Sequence, residues 1–162
     1  VLFRSNFMEI TQRLPIKLMI EITENQTLTI TPALKELIRS LRNRGVLFAL
    51  DDFGTGYANL CYLNELDLDV IKIDKTFIKA IKEVEQHIPM LESIIHLSGL
   101  LGLRMVAEGV EYGYQQQWLR KNNVDYLQGY QFLPPVMFDD FMRFYKQSVG
   151  LFESASDSTF SA

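Results

Sequence analysis

Between Leu14 and Tyr130 the chain repeats one pattern, in which a short apolar run is followed by polar residues and then by a segment with helical spacing. The runs begin at Ile16, Val46, Val70, Arg104 and Tyr126 and end at Ile20, Leu50, Ile73, Ala107 and Leu127. Continuous apolar runs of this length, separated by helices, are the pattern of parallel strands covered on both faces. The first helix is the best delimited. Thr31 is placed to cap it, Pro32 suits its first position, Leu34, Leu37, Ile38 and Leu41 make an apolar stripe, and Gly45 follows as a stop. Further helices are expected from about His87 to Leu101, Tyr114 to Lys121 and Phe138 to Gln147, with a solvated helix face from Lys79 to Glu85.

Repeated βα units form either an open doubly wound sheet, such as a flavodoxin-like one, or a closed barrel. A complete eight-stranded barrel takes about 250 residues. Five units in 162 residues are too few to close one. Residues 1–149 read as one domain, and the Ser-rich stretch 150–162 as a disordered tail. Val1 is not a methionine and no signal-peptide pattern follows it, so further sequence is expected upstream.

Each apolar run ends in, or is broken by, an ionisable or amide side chain: Glu21, Asp51 with Asp52, Lys72 with Asp74, Glu108, and Gln128. Any one of these alone is an ordinary solvated loop entry. Five in agreement point to one ligand-binding face, because parallel α/β folds gather the carboxyl ends of their strands on one side. Lys72 and Asp74 stand two apart among Val70, Ile71 and Ile73, so alternation aims both to the same side of a strand. Burying them is costly unless they are paired or serve a site.

Grouped carboxylates are hard oxygen ligands suited to Mg²⁺ or Mn²⁺, and a cluster without histidine or cysteine does not suit zinc. Two such ions would activate a water and stabilise the leaving oxygen of a phosphodiester. A nearby lysine can hold that water or offset phosphate charge. The stretch Phe53, Gly54, Thr55, Gly56 that follows the aspartates is neither a Walker loop nor a dinucleotide fingerprint. Its glycines fit a tight loop that lets backbone approach a ligand.

Composition excludes other classes. With 16 Lys+Arg against 20 Asp+Glu, a net charge of −4, the chain lacks the basic excess that DNA or RNA binding needs. No apolar run approaches the ~18 residues of a membrane span. The single cysteine, Cys61, excludes an intrachain disulfide and a cysteine-based zinc cluster, reads as a small buried hydrophobe, and fits the reducing cytoplasm. His87 and His96 read as packing or surface residues, and Trp118 with Leu119 and Tyr114 as a core-facing helix side. Formally, the acids at 21, 51, 52, 74 and 108 together with Lys72 carry the whole net charge, since the remaining acids and bases cancel.

The stretches Glu21-Ile-Thr-Glu24, Asp51-Asp-Phe-Gly-Thr-Gly-Tyr57, Lys72-Ile-Asp74 with Phe77, Ala107-Glu-Gly-Val-Glu111 and Gln128-Gly-Tyr130 resemble, in order and spacing, the EAL-domain family. These are bacterial phosphodiesterases that linearise cyclic di-GMP to pGpG. The resemblance implies a partial TIM-type (β/α) barrel, about five of eight βα units, with one strand of the whole barrel running against the others. It implies a two-metal site in which Glu21 and Asp51 hold the first ion while Asp52 and Glu108, with Asp51 bridging, hold the second. It further implies Lys72 at the catalytic water, Asp74 at the base of the site, Gln128 at its rim, and Glu24 as anchor of the loop after Asp52. A homodimer contact near that loop, and an upstream sensory or membrane domain tethering the parent to the inner membrane, are family expectations. Three departures stand out. The Glu-Ala-Leu motif and the asparagine motif do not occur in these residues, Gln131-Phe-Leu-Pro-Pro135 lacks a basic residue, and Tyr112 replaces a small hydroxyl residue. An inactive module that binds cyclic di-GMP or a protein partner is the alternative function. For the 162 residues alone, little or no hydrolysis and poor independent stability are expected.

Overall fold

The computed structural model describes residues 17–23, 29–54 and 59–145. The described residues fall into two compact units, dividing after Gln131. The first contains strands β1 (Met19–Thr23), β2 (Leu47–Phe53), β3 (Val70–Ile73), β4 (Arg104–Ala107) and β5 (Tyr126–Leu127). Helices α1 (Pro32–Arg42), α2 (Asn59–Glu65), α3 (Lys75–Ile78), α4 (Pro89–Leu100) and α5 (Gly113–Lys121) alternate with them. In the second unit residues 138–145 are helical, with Phe141 stacked on Tyr145 and Arg143 paired with Asp140. The stretch 150–162 lies outside the described residues. No helix among those described is long and apolar enough to cross a membrane.

The five strands pair in sequence order, β1-β2-β3-β4-β5, and every pairing is parallel. That order decides between the two architectures the repeat allowed. A doubly wound sheet reverses its strand order at a switch point, whereas a barrel adds each strand beside the last. The fold is therefore α/β, an arc of the TIM type. Right-handed crossovers put the helices on one face of the arc. Leu50, Ile71, Ile73, Ile78, Leu91, Val110, Trp118 and Leu119, all fully buried, make up the centre of its core.

The amino ends of the strands are tied by two aspartates used in the same way. Asp69, just before β3, accepts the Phe48 N–H at 2.9 Å, and Asp125, just before β5, accepts the Met105 N–H at 2.8 Å. Asp69 also takes a forked contact from Arg42 at 2.7 and 3.2 Å, which fastens the end of α1 to the sheet. At the start of α1 the Thr31 hydroxyl accepts the Leu34 N–H with Pro32 at the first turn, as its sequence requires.

Several elements depart from the sequence pattern. β1 and β2 run past their apolar residues, to Thr23 and Phe53, so Glu21, Asp51 and Asp52 lie inside strands. Residues 79–85 are turns and bends, not a helix, because Ile81 is buried and the Gln86 amide folds back to accept the Lys82 N–H and donate to the Ala80 carbonyl. Trp118 then fixes this loop through Nε1–H, donated to the Gln86 carbonyl at 2.7 Å. α4 starts at Pro89, leaving His87 in the preceding loop with Nδ1 3.3 Å from Glu92. Cys61 is exposed, not buried, since α2 turns Tyr62 inward, with Leu66 buried just after it.

Replacing Asp69 by alanine strands the Phe48 N–H and releases Arg42. The expected loss is about 1–3 kcal/mol of stability, read from urea unfolding.

Candidate metal centre

Lys72 is the third residue of the four in β3, a strand whose every side chain is buried. Its neighbours Ile71 and Ile73 are fully buried, and Lys72 itself is only 7% exposed. Three strands deliver carboxylates to its ammonium. Nζ lies 2.9 Å from Glu21 Oε1 on β1, 2.8 Å from Asp51 Oδ1 on β2 and 2.7 Å from Glu108 Oε1 just past β4. Burial by itself pushes the Lys72 pKa down, but contacts with Asp51, Glu108 and Glu21 outweigh it and leave it raised. The lysine is therefore held charged.

Asp51 and Asp52 are consecutive in a strand, where side chains should point to opposite faces. Two features override the alternation. Between Leu50 and Phe53 the register of β2 on β3 shifts, β2 using three steps where β3 uses two. Asp52 also adopts φ +55°, the left-handed conformation that Asp tolerates better than most side chains. A bulge of this kind re-aims a side chain, and here it brings both aspartates to one place.

Asp51, Asp52 and Glu108 each present a carboxylate oxygen within 4.8 Å of the others, and each side chain is half-buried. Asp51 Oδ1 is buried, and although Lys72 Nζ is 2.8 Å away, no hydrogen bond of good geometry reaches it. A buried carboxylate oxygen without an aligned donor, in an all-oxygen set with an excess of negative charge, fits a hard divalent cation. Glu21 approaches the same lysine but is not in that trio, and its side chain is 44% exposed.

The other residues singled out in the sequence are placed differently. Asp74 does not pair with Lys72. Its carboxylate caps α3, accepting the Thr76 N–H at 2.8 Å. Burial acts to raise its pKa, and the bonds from Thr76 and Lys75 outweigh it, so the net shift is downward. Phe53 ends β2 with its side chain in the core, and Gly54 follows at φ +97°. Gln128 directly follows β5 with its side chain exposed, while its N–H bonds the Ala107 carbonyl and its carbonyl accepts the Val110 N–H. Glu24, Thr55 and Gly56 lie outside the described residues.

Two motif glycines act by closeness rather than chemistry. A Cβ on Gly109, whose φ is +69°, would stand 2.6 Å from Lys75 Cβ, and one on Gly129 would stand 2.1 Å from the Val110 carbonyl oxygen. Both positions press the segments after β4 and β5 onto their neighbours. Sequence reading also missed Gln115, the only buried member of three consecutive glutamines. Its spacing of three and four residues from Trp118 and Leu119 puts it on the core-facing side of the helix, a signal that separates it from Gln116 and Gln117. Tyr112, unusual for its position, lies outward and stacks on Tyr114 with ring centres 5.3 Å apart.

A family model for the EAL domain matches residues 3–135. The chain is 42% identical over 123 residues to the cyclic di-GMP phosphodiesterase PdeL of Escherichia coli (strain K12), a match that covers 75% of this chain and 33% of that protein. It spans about a third or less of the length of the first curated relatives it matches. Among solved structures, the EAL domain of Mycobacterium smegmatis DcpA has a TM-score of 0.75 at 28% identity, covering 88% of this chain and 66% of that one. A manganese/cy-diGMP complex of Klebsiella pneumoniae BlrP1 has a TM-score of 0.64 at 29% identity, covering 79% and 33%.

Lys72→Met leaves three carboxylates facing one another without their common cation. It should cost about 3 kcal/mol in urea unfolding without metal, and Mn²⁺ should restore part of the loss. Asp74 carries a different signature. Because its folded pKa lies below its ordinary value of 3.8, its stabilisation is complete above that value and is lost as pH falls through the folded one. The advantage of wild type over Asp74→Ala, about 1 kcal/mol at neutral pH, should therefore vanish in acid unfolding curves.

Proposed function

Because the chain belongs to the EAL-domain family, we propose that the domain it contributes to hydrolyses cyclic di-GMP to linear pGpG with the help of a divalent metal, Mg²⁺ or Mn²⁺. The observation that carries this reading is the convergence of Glu21, Asp51 and Glu108 on buried Lys72, with Asp51 Oδ1 left without an aligned donor. The BlrP1 relative, a complex with manganese and cyclic di-GMP, supports a divalent metal and that substrate here.

Asp51, Asp52 and Glu108 are the residues that would hold metal, with Glu21 completing the set on the β1 side. When bound, a divalent ion supplies charge stabilisation at the phosphodiester and a water of lowered pKa. The residues of the chain do the rest. Lys72, fixed by its neighbours on either side of β3, presents a permanent positive charge to the attacking water and the phosphate. Its low exposure leaves that charge weakly screened. Gln128, exposed at the end of β5, orients substrate or water from the rim. Asp74 acts one step back, holding α3 and so the carboxyl end of β3. Phe53, buried in the core, holds the start of the loop Gly54, Thr55, Gly56, and the family resemblance assigns Glu24 as the anchor of that loop. A homodimer, a cytoplasmic location and an upstream sensory or membrane domain belong to the same proposal.

Incubating the full-length parent protein with cyclic di-GMP and Mn²⁺, with chromatographic detection of pGpG, tests the reading. Hydrolysis is expected, chelation should abolish it, and Asp51→Asn or Glu108→Gln should lower kcat by roughly 100-fold or more. Binding of cyclic di-GMP without pGpG would instead establish a catalytically inactive regulatory module.

A further inference from the structure

We propose that Gln115 is a positioning residue that holds Glu108 opposite Lys72 by capping two helix ends with one side chain. The proposal rests on the metal reading above. Gln115 is 2% exposed, and a buried amide is tolerated only when its groups are bonded. Its Oε1 accepts the Glu111 N–H at 2.9 Å and the Tyr112 N–H at 3.1 Å, which caps the start of α5. Its Nε2 donates to the Ile78 carbonyl at 3.1 Å. That third bond serves nothing in α5. It goes to the last carbonyl of α3, 37 residues away in the chain, which also accepts the Ile81 N–H at 3.2 Å.

The two bonded ends lie close to the site along the chain. Ile78 ends α3 six residues after Lys72, and Glu111 is three residues after Glu108. Between Glu108 and Glu111 the chain is closed from other sides as well. Gly109 lies on Lys75, Val110 is fully buried, and its N–H and carbonyl bond Gln128 and Gln131. The segment carrying Glu108 is thus fixed to β5 by backbone bonds. Toward β3 and α3 it is held at one end by the Glu108 N–H, donated to the Ile73 carbonyl at 3.1 Å, and at the other by Gln115. The Gln115 link is the side-chain half of that clamp, and it sets the approach of Glu108 Oε1 to Lys72 Nζ, 2.7 Å away. Groups bonded directly to metal ligands change metal affinity by about 10–100-fold when removed, and Gln115, acting through the backbone, belongs at the lower end of that range.

Mn²⁺ titration of the purified full-length parent protein, followed by the electron paramagnetic resonance of the unbound ion, tests this at a temperature where circular dichroism shows each variant folded. Gln115→Leu should weaken Mn²⁺ binding about tenfold. Gln115→Glu keeps the accepted bonds but not the one to Ile78, and should fall between; it also serves if the leucine variant does not fold. Trp118→Phe is the control. It removes the bond to Gln86 one turn further along α5, and should lower the melting temperature while leaving Mn²⁺ affinity unchanged. Wild-type affinity in both Gln115 variants, or equal weakening in Trp118→Phe, would overturn the positioning role. Absence of Mn²⁺ binding by the wild type would remove the metal reading and this role with it.

Discussion

One buried ammonium organises this molecule. Lys72 meets Glu21, Asp51 and Glu108 within 2.9 Å, and these come from β1, β2 and the end of β4. A lysine this deep is unfavourable unless paired, and carboxylates brought together repel unless a cation stands among them. Each side makes the other tolerable. The contacts also demand that four strands pair in order and in one register, since Glu21, Asp51 and Glu108 reach the same atom only from their present positions. The functional centre and the sheet geometry are thus one constraint.

The centre also carries local strain that its surroundings must hold. Asp52 is kept at a positive φ and β2 gains a residue relative to β3, which turns the second aspartate to the side of the first. Such a conformation costs on the order of 1–2 kcal/mol and persists only where neighbours fix it. On the other flank Gly109 permits a contact with Lys75 that no Cβ could make. Strain on one side and close packing on the other bring Asp51, Asp52 and Glu108 together, an arrangement that suits a cation and has no use in a purely structural sheet.

How far the sequence could be read depended on the kind of signal. β3, β4 and β5 appear where their apolar runs lie, and α1 has the cap and proline its sequence announces. β1 and β2 ran further because charged residues can continue a strand when Lys72 compensates them, and apolar patterning cannot see a partner far away in the chain. The charges of residues 79–85 suggested a solvated helix, yet buried Ile81 and the amide of Gln86 fold the segment into turns. Lys72 lies within β3 with a burial cost to be met, as expected, whereas Asp74 falls just past the strand, at the cap of α3. Their partners were not legible, for Lys72 went to three distant carboxylates and Asp74 to the N–H of Thr76.

By itself, then, the sequence determined the alternation of strand and helix, the parallel sheet it implies, and the oxygen-rich chemistry gathered at the strand ends, because all of these follow from local residue order. Tertiary structure alone decided that strands pair consecutively, that adjacent aspartates share a face, and that the Gln115 amide meets the Ile78 carbonyl. Those outcomes depend on register between strands and helices far apart in the chain. A shift of one residue would move every one of these side chains to a different face, and no local pattern records that choice.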